Sequence, residues 1–177
     1  MSRGWLWLAL LPLLARAGDA PLQLAIGAPN GAQLLQLNHQ QVVSRGPLPS
    51  DLSAPLGSLW KLFVYSYLTD TGKPEVGYTC KGQDRDEVYC CKAGERIERD
   101  QALTQSCGLY FSPANQQLDA ADWQHYWQQR QAPLWLSDMA RLQPQQHVPI
   151  AELLQQLRQL PAQQQARRVL LDVVLNA

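Results

Sequence analysis

The segment from Ser58 to Leu68 limits the possible folds most, because it is apolar on almost every side. It reads Ser-Leu-Trp-Lys-Leu-Phe-Val-Tyr-Ser-Tyr-Leu, and Lys61 is the only charged residue between Leu52 and Thr69. A helix that is apolar all round has to be buried in a core. The valine and the aromatic residues would also suit a strand, but the length of the segment favours a helix. We therefore predict a buried helix here.

The N-terminus has the three parts of a secretory signal peptide. A short cationic start is followed by the apolar run Trp5–Leu14 and then by Ala15-Arg-Ala17. This order is typical of an export signal, and the apolar run is shorter than the roughly 20 residues that cross a bilayer. A retained buried or anchoring helix is the alternative, but the Ala-x-Ala end would have no use in it. We predict cleavage between Ala17 and Gly18, which leaves one domain at residues 18–177.

The charge of the remaining chain argues against nucleic acid as a partner. Removal of residues 1–17 leaves 13 basic and 15 acidic residues, a net charge of −2. No basic cluster remains to bind a phosphate backbone. A length of 160 residues suits one domain with its own core. No later segment is long and apolar enough to span a membrane.

Four cysteines in an exported chain predict two disulfides. They are Cys80, Cys90, Cys91 and Cys107, which allow three pairings. Adjacent cysteines rarely bond to each other, so we expect Cys90 and Cys91 to have different partners. Zinc is the competing interpretation, but the chain has no Cys-x-x-Cys and its three histidines lie outside the cluster. We expect no metal and no cofactor.

The apolar pattern predicts an α+β chain that begins with a β-hairpin. Leu22–Ile26 and Gln33–Leu37 are short apolar-rich runs, and Gly27-Ala-Pro-Asn-Gly31 between them is a turn signal. Arg45–Asp51 contains two prolines and a glycine, so we expect a loop. After the buried helix, the rest of the chain is predicted to be largely helical.

Helix signals recur through the second half of the chain. A short helix is predicted near Asp100–Gln105, and Asp119 is a candidate N-cap for a helix to about Arg130. Pro149 and Pro161 mark the starts of two further helices. The last of these has an apolar face of Val169, Leu170, Val173 and Val174 and no terminating signal, so we expect that a C-terminal part is missing.

Aromatic residues cluster between positions 123 and 136. Their helical spacing favours a place in the core, although they could instead stack on glycan rings. The residues are Trp123, Tyr126, Trp127, Trp135 and Leu136.

Ser58 and Lys61 form a Ser-x-x-Lys pair at the head of the predicted buried helix. Residues three apart lie on one helical face. Poor solvation on an apolar helix would lower the lysine pKa toward neutrality, and a neutral amine can take the proton of a serine nucleophile. The alternative is structural: Ser58 would be an N-cap, and Lys61 would extend to solvent.

The surrounding residues resemble a known superfamily. Pro55-Leu-Gly-Ser-Leu-Trp-Lys-Leu-Phe63 is similar to the Pro-x-x-Ser-x-x-Lys segment of penicillin-binding proteins and serine β-lactamases. Ala102-Leu-Thr-Gln-Ser-Cys-Gly-Leu-Tyr-Phe111 resembles their second motif, Ser-x-Asn. The preceding hairpin also lies where that superfamily has its first two strands. The resemblance implies an incomplete β-lactamase/transpeptidase-like fold.

The same resemblance implies a role for each matching residue. Ser58 would be the acyl-accepting nucleophile, and its N–H would form half of an oxyanion hole. Lys61 would be the general base, and Ser106 would pass protons to the leaving group. Gly108, a substrate-binding position, stands where the superfamily has Asn. The third motif of the superfamily, Lys-Thr/Ser-Gly on a strand after the helices, is absent. The most similar segment is Lys92-Ala-Gly94, but it lies before Ser106, and the third motif should follow the second.

A narrower resemblance connects the chain to a family of secreted bacterial proteins. It is carried by Tyr78-Thr-Cys80, Tyr89-Cys-Cys91, Gly94–Asp100 and Ser106-Cys-Gly-Leu-Tyr-Phe111. Members of that family are associated with bacterial α2-macroglobulin-like protease traps. The resemblance implies a secreted or periplasmic location.

Three functional hypotheses follow. The first is a serine hydrolase or acyltransferase that acts on peptidoglycan peptides or a related amide through Ser58, Lys61 and Ser106. The second is a non-catalytic scaffold that binds the cell wall or a partner in a protease-trap system, which Gly108 and the missing third motif favour. The third is a thiol-redox protein that uses Cys90 and Cys91.

Overall fold

A computed structural model describes residues 22–28, 31–39, 41–82 and 90–176 of the chain. The predicted signal peptide at residues 1–17 and its cleavage point at Ala17 and Gly18 lie outside the described residues. Within the described part, no helix is both long enough and apolar enough to cross a bilayer.

A three-stranded antiparallel sheet forms the N-terminal part. It contains β1 (Leu22–Ala28), β2 (Gly31–Asn38) and β3 (Gln41–Pro47) in that order. The hairpin register runs from Leu22 opposite Leu37 to Ala28 opposite Gly31. The predicted hairpin is therefore confirmed.

The third strand was not predicted, and it corrects the loop predicted from Arg45. Residues 45–47 belong to β3, with Arg45 opposite Leu35 and Pro47 opposite Gln33. The proline is tolerated because β3 is an edge strand and Pro47 is its last residue. Only the later part of the predicted segment connects to the next strand.

The central helix α1 (Leu59–Asp70) follows a short strand that ties its start to a distant segment. This strand, β4 (Ser53–Pro55), pairs with β7 (His147–Pro149). In α1, the six residues Phe63 to Leu68 are all buried. The prediction of a buried helix is therefore confirmed.

The cysteine segment folds into short elements beside α1. Strands β5 (Tyr78–Thr79) and β6 (Arg96–Ile97) pair with each other. Helices α2 (Arg99–Thr104), α3 (Gly108–Phe111) and α4 (Pro113–Gln116) follow. The short helix predicted near Asp100–Gln105 corresponds to α2.

Four further helices complete the described chain. They are α5 (Ala120–Gln129), α6 (Leu134–Ser137), α7 (Ile150–Arg158) and α8 (Gln163–Asn176), with a 3-10 turn at Met139–Arg141. The Asp119 carboxylate caps α5 by accepting the N–H groups of Ala121 and Asp122, as the sequence predicts. Pro149 directly precedes α7, whereas Pro161 lies two residues before α8.

The core is built on aromatic contacts between α1 and α5. Phe63 meets Trp127 edge-on at 5.9 Å between ring centroids, and Tyr67 meets Trp123 at 5.1 Å. The indole N–H of Trp123 donates to the Leu136 carbonyl at 2.8 Å. All five clustered residues at positions 123–136 are buried, which confirms their place in the core. The resulting fold is mixed α+β, with an N-terminal sheet followed by helices.

Candidate active site

Ser58 lies at the exposed head of α1, immediately after a sharp turn. Gly57 adopts a left-handed conformation (φ 54°), and its N–H donates to the Pro144 carbonyl at 2.8 Å. The neighbouring Leu56 side chain is buried, and its N–H donates to the Gln146 carbonyl at 2.8 Å. The turn is thereby fixed to the 144–146 segment. Ser58 occupies the N-cap position, but its side chain makes no capping hydrogen bond.

Lys61 lies one turn into α1, on the same face as Ser58. Its Nζ is 3.1 Å from Ser58 Oγ, as expected for residues three apart on a helix. The side chain is half-buried, and Nζ lies 6.0 Å from the centroid of the Trp60 ring. Lys61 therefore runs along the cleft wall toward Ser106.

Ser106 reaches the same amine from the end of α2. Lys61 Nζ is 2.8 Å from Ser106 Oγ and 2.6 Å from the Ser106 carbonyl oxygen. From Ser58 and Ser106, the amine thus has three oxygen atoms within hydrogen-bond distance, two from Ser106 and one from Ser58. A neutral amine can accept one proton from a hydroxyl and donate two, and an ammonium can donate three. The arrangement suits either form.

A helix-ending motif explains how Ser106 points both oxygens at Lys61. The Ser106 N–H donates to Leu103 O at 3.1 Å, and the Cys107 N–H donates to Ala102 O at 2.8 Å. These two bonds form a Schellman motif, whose left-handed residue is usually glycine. Here that residue is Ser106, with φ 55°. A serine in this conformation is disfavoured by about 1–2 kcal/mol.

A disulfide holds the residue that follows Ser106. Cys107 bonds to Cys90, and Cys80 bonds to Cys91. The prediction that the adjacent cysteines have different partners is confirmed. All four cysteines are in disulfides. Cys90 and Cys91 therefore carry no free thiol of the kind that the thiol-redox hypothesis uses.

Ser58, Lys61 and Ser106 line a cleft of about 560 Å³. Its apolar walls come from α1, α3 and the segment from Met139 to Pro144: Trp60, Leu109, Met139, Leu142 and Pro144. Gly108 also lines it, and a Cβ at that position would lie 3.6 Å from Lys61 Cε. Among the described residues that line the cleft, Lys61 has the only ionisable side chain.

A second hollow, of about 240 Å³, shares these three residues with the cleft. Ser58, Lys61 and Ser106 line it together with Leu62, Leu103 and Leu170. Leu170, expected on the apolar face of the last helix, is 40% exposed here, unlike Val169, which is buried. Val173 and Val174 lie beyond the side chains that the structure describes.

A groove of similar volume, about 520 Å³, lies between β1, β2 and α7. Gly27, Leu154 and Arg158 are among the residues that line it. Its described lining includes no serine, threonine, cysteine, lysine or tyrosine. The cleft around Ser58 is therefore the better candidate for covalent chemistry.

Sequence reasoning missed part of this cleft. Met139, Leu142 and Gln143 line it, although they are about 80 residues from Ser58 in the chain. No local pattern marks them, because their position depends on the pairing of β4 with β7. Gln105 also lines the cleft and supplies an amide side chain. Gln105 could have been predicted as a cleft residue, because it directly precedes Ser106 in the sequence.

Two comparisons with known proteins identify relatives. The chain is 51% identical over 172 residues to the Uncharacterized protein YfaQ of Escherichia coli (strain K12). The match covers 97% of this chain but 31% of that protein, so the chain spans less than a third of its relative's length. No solved structure gives a significant match. None of the comparisons with known proteins supports the resemblance to penicillin-binding proteins or β-lactamases.

Residues 82–177 match a family model described as "Predicted secreted protein (DUF2300)". The match covers more than half of the chain, and it includes the Cys90–Cys107 disulfide and Ser106. It agrees with the narrower resemblance seen in the sequence and confirms the predicted secreted location. The chain belongs to the DUF2300 family of predicted secreted proteins.

Proposed function

We propose that the cleft is a serine acyl-transfer site in which Ser58 is the nucleophile. The observation that carries this proposal is the position of Lys61 Nζ, within 3.1 Å of Ser58 Oγ and 2.8 Å of Ser106 Oγ. A nucleophile beside a base, with a third group in contact with that base, is the arrangement that activates a hydroxyl. The exposed Ser58 side chain is also open to a substrate.

The roles of the three side chains follow from these contacts. The neutral Lys61 amine takes the Ser58 hydroxyl proton as Oγ attacks the carbonyl carbon of an acyl donor. The bond to the leaving group then breaks. The leaving group takes a proton that Lys61 passes on through Ser106 Oγ, and the acyl group remains on Ser58. Water or another nucleophile releases the acyl group and restores the serine.

The head of α1 would stabilise the negative charge that develops on the carbonyl oxygen. The first N–H groups of a helix have no intrahelical acceptor, and the helix dipole is positive at this end. Ser58 lies at this position, and its N–H would face the oxygen of a carbonyl held at Oγ. The proposal therefore requires no metal ion.

The conformation of Ser106 supports a functional use of its hydroxyl. Glycine would be more stable in its left-handed position, yet the chain has a serine whose Oγ contacts Lys61. Gln117 and Gln131 also adopt left-handed conformations after helices, so the support comes from the contact of Ser106 Oγ with Lys61 and not from the backbone alone. A purely structural helix end would not require this side chain.

Labelling with an alkyl fluorophosphonate tests the proposal, because this reagent phosphonylates activated serines. The full chain, with its disulfides formed, should gain one adduct by intact mass, located on Ser58. Ser58→Ala should gain none. Ser53→Ala is the matched control, since Ser53 is an exposed serine on β4, and it should react like the wild type. Absence of an adduct, or equal labelling of Ser58→Ala, would overturn the proposal.

A further inference from the structure

The two hollows that Ser58 lines each have a group of apolar side chains. In the larger one, the indole of Trp60 and the side chains of Leu109, Met139 and Leu142 face the space in front of Ser58 and Lys61. In the smaller one, Leu62, Leu103 and Leu170 do so. The larger hollow also contains the neutral amide groups of Gln105 and Gln143, but among its described lining residues Lys61 is the only cationic type. A carboxylate that enters loses hydration, and neutral donors offset this cost less than a cation does.

The Lys61 amine, the ionisable group that lines the cleft, is already engaged. Lys61 Nζ has Ser58 Oγ, Ser106 Oγ and the Ser106 carbonyl within 3.1 Å. Three partners use the full hydrogen-bonding capacity of an amine or ammonium group. A substrate carboxylate could bind Lys61 only by displacing one of the contacts on which the proposed proton transfer depends.

We propose that the acyl donor is an uncharged ester or amide with an apolar acyl group, not a peptide that ends in a carboxylate. This inference rests on the proposed function of Ser58. The reaction forms a bond from Ser58 Oγ to the acyl carbon and releases the alcohol or amine with one proton; water then yields the free acid. The cleft volume of about 560 Å³ lies in the usual range for small-molecule sites.

Two chromogenic esters of equal chain length separate the alternatives. p-Nitrophenyl hexanoate and mono-p-nitrophenyl adipate share the leaving group and differ by a terminal carboxylate. For the wild type, after subtraction of the Ser58→Ala rate, we expect kcat/KM for the hexanoate to be at least about tenfold higher.

A charge placed in the wall should change this preference. Met139 is half-buried at the cleft, so Met139→Lys can place an ammonium there, and Met139→Leu is the neutral control. In Met139→Lys, the ratio of kcat/KM for the hexanoate to kcat/KM for the adipate should be about fivefold lower than in the wild type. Met139→Leu should keep the wild-type ratio.

The outcomes distinguish this inference from the function on which it rests. If neither ester shows Ser58-dependent hydrolysis, the proposed function fails and the inference fails with it. Ser58-dependent hydrolysis with equal rates, or with the adipate preferred, overturns the inference alone. An unchanged ratio in a folded Met139→Lys also counts against it. If that variant does not fold, the wild-type ratio decides.

Discussion

Lys61 Nζ lies 2.8 Å from Ser106 Oγ, although 45 residues separate the two positions in the chain. The contact joins two helix ends that are each fixed by other bonds. The start of α1 is tied to residues 144–146, and the end of α2 is closed by a Schellman motif next to a disulfide. The site therefore depends on backbone anchors as well as on three side chains.

Substitution of Ser106 should separate stability from activity. We expect Ser106→Gly to be about 1 kcal/mol more stable than Ser106→Ala, because only glycine relieves the left-handed backbone. Both variants lose Oγ, so both should react with fluorophosphonate about 100-fold more slowly. Urea unfolding and the labelling rate measure the two effects. If either variant reacts with fluorophosphonate at the wild-type rate, the Ser106 hydroxyl has no part in the mechanism.

The Cys90–Cys107 disulfide should control the geometry of the site. We expect the double variant Cys90→Ser, Cys107→Ser to lose about 3 kcal/mol of unfolding free energy. Its labelling rate should fall at least about tenfold, because Ser106 is then less firmly placed. Unfolding in urea and labelling kinetics provide the measurements.

The other disulfide is the matched control for this experiment. The double variant Cys80→Ser, Cys91→Ser removes a bond of similar kind that is not adjacent to Ser106. It should lose stability but keep the labelling rate within about twofold. Equal losses of rate in the two double variants would show that general destabilisation, and not the position of Ser106, is responsible.

Buried tyrosines should make the fold sensitive to alkali. Burial, and then the hydrogen bond that the Tyr65 hydroxyl donates to Asp100 at 2.8 Å, raise the pKa of Tyr65 well above its usual value. Burial likewise raises the pKa of Tyr110 and Tyr126. Above about pH 10 the unfolded phenols release protons that the folded phenols retain, so stability present below that pH is lost as pH rises.

Urea unfolding between pH 8 and pH 11, without free thiols, tests this expectation. Each retained proton should lower the unfolding free energy by up to about 1.4 kcal/mol per pH unit above pH 10. Tyr65→Phe should reduce that slope by one proton. A flat profile, or an unchanged slope in Tyr65→Phe, would contradict the assignment.

The sequence was most informative where the signal is local. The spacing of Ser58 and Lys61 predicted their contact, since a helix alone determines it. The carboxylate of Asp119 predicted the start of α5 for the same reason. In contrast, the predicted loop at Arg45 was wrong for residues 45–47, because the edge of a sheet tolerates the proline that suggested it.

The non-local parts of the site were the least predictable. Ser106 was suggested by a resemblance that the comparisons do not support, and its left-handed conformation has no signal in a serine. Met139 and Leu142 reach the cleft only because β4 pairs with β7. Pairings over about 90 residues depend on the packing of the whole chain, which short-range patterns do not encode.

The rate at which alkyl fluorophosphonate modifies Ser58 in Lys61→Met shows whether Lys61 is the base of the site. If the Lys61 amine takes the Ser58 proton, the rate should fall about 1,000-fold while the fold remains intact. Lys73→Met, which removes a lysine from a surface ion pair with Asp122, should react like the wild type. A Lys61→Met variant that keeps the wild-type rate would show that Lys61 does not activate Ser58 and would favour a non-catalytic scaffold.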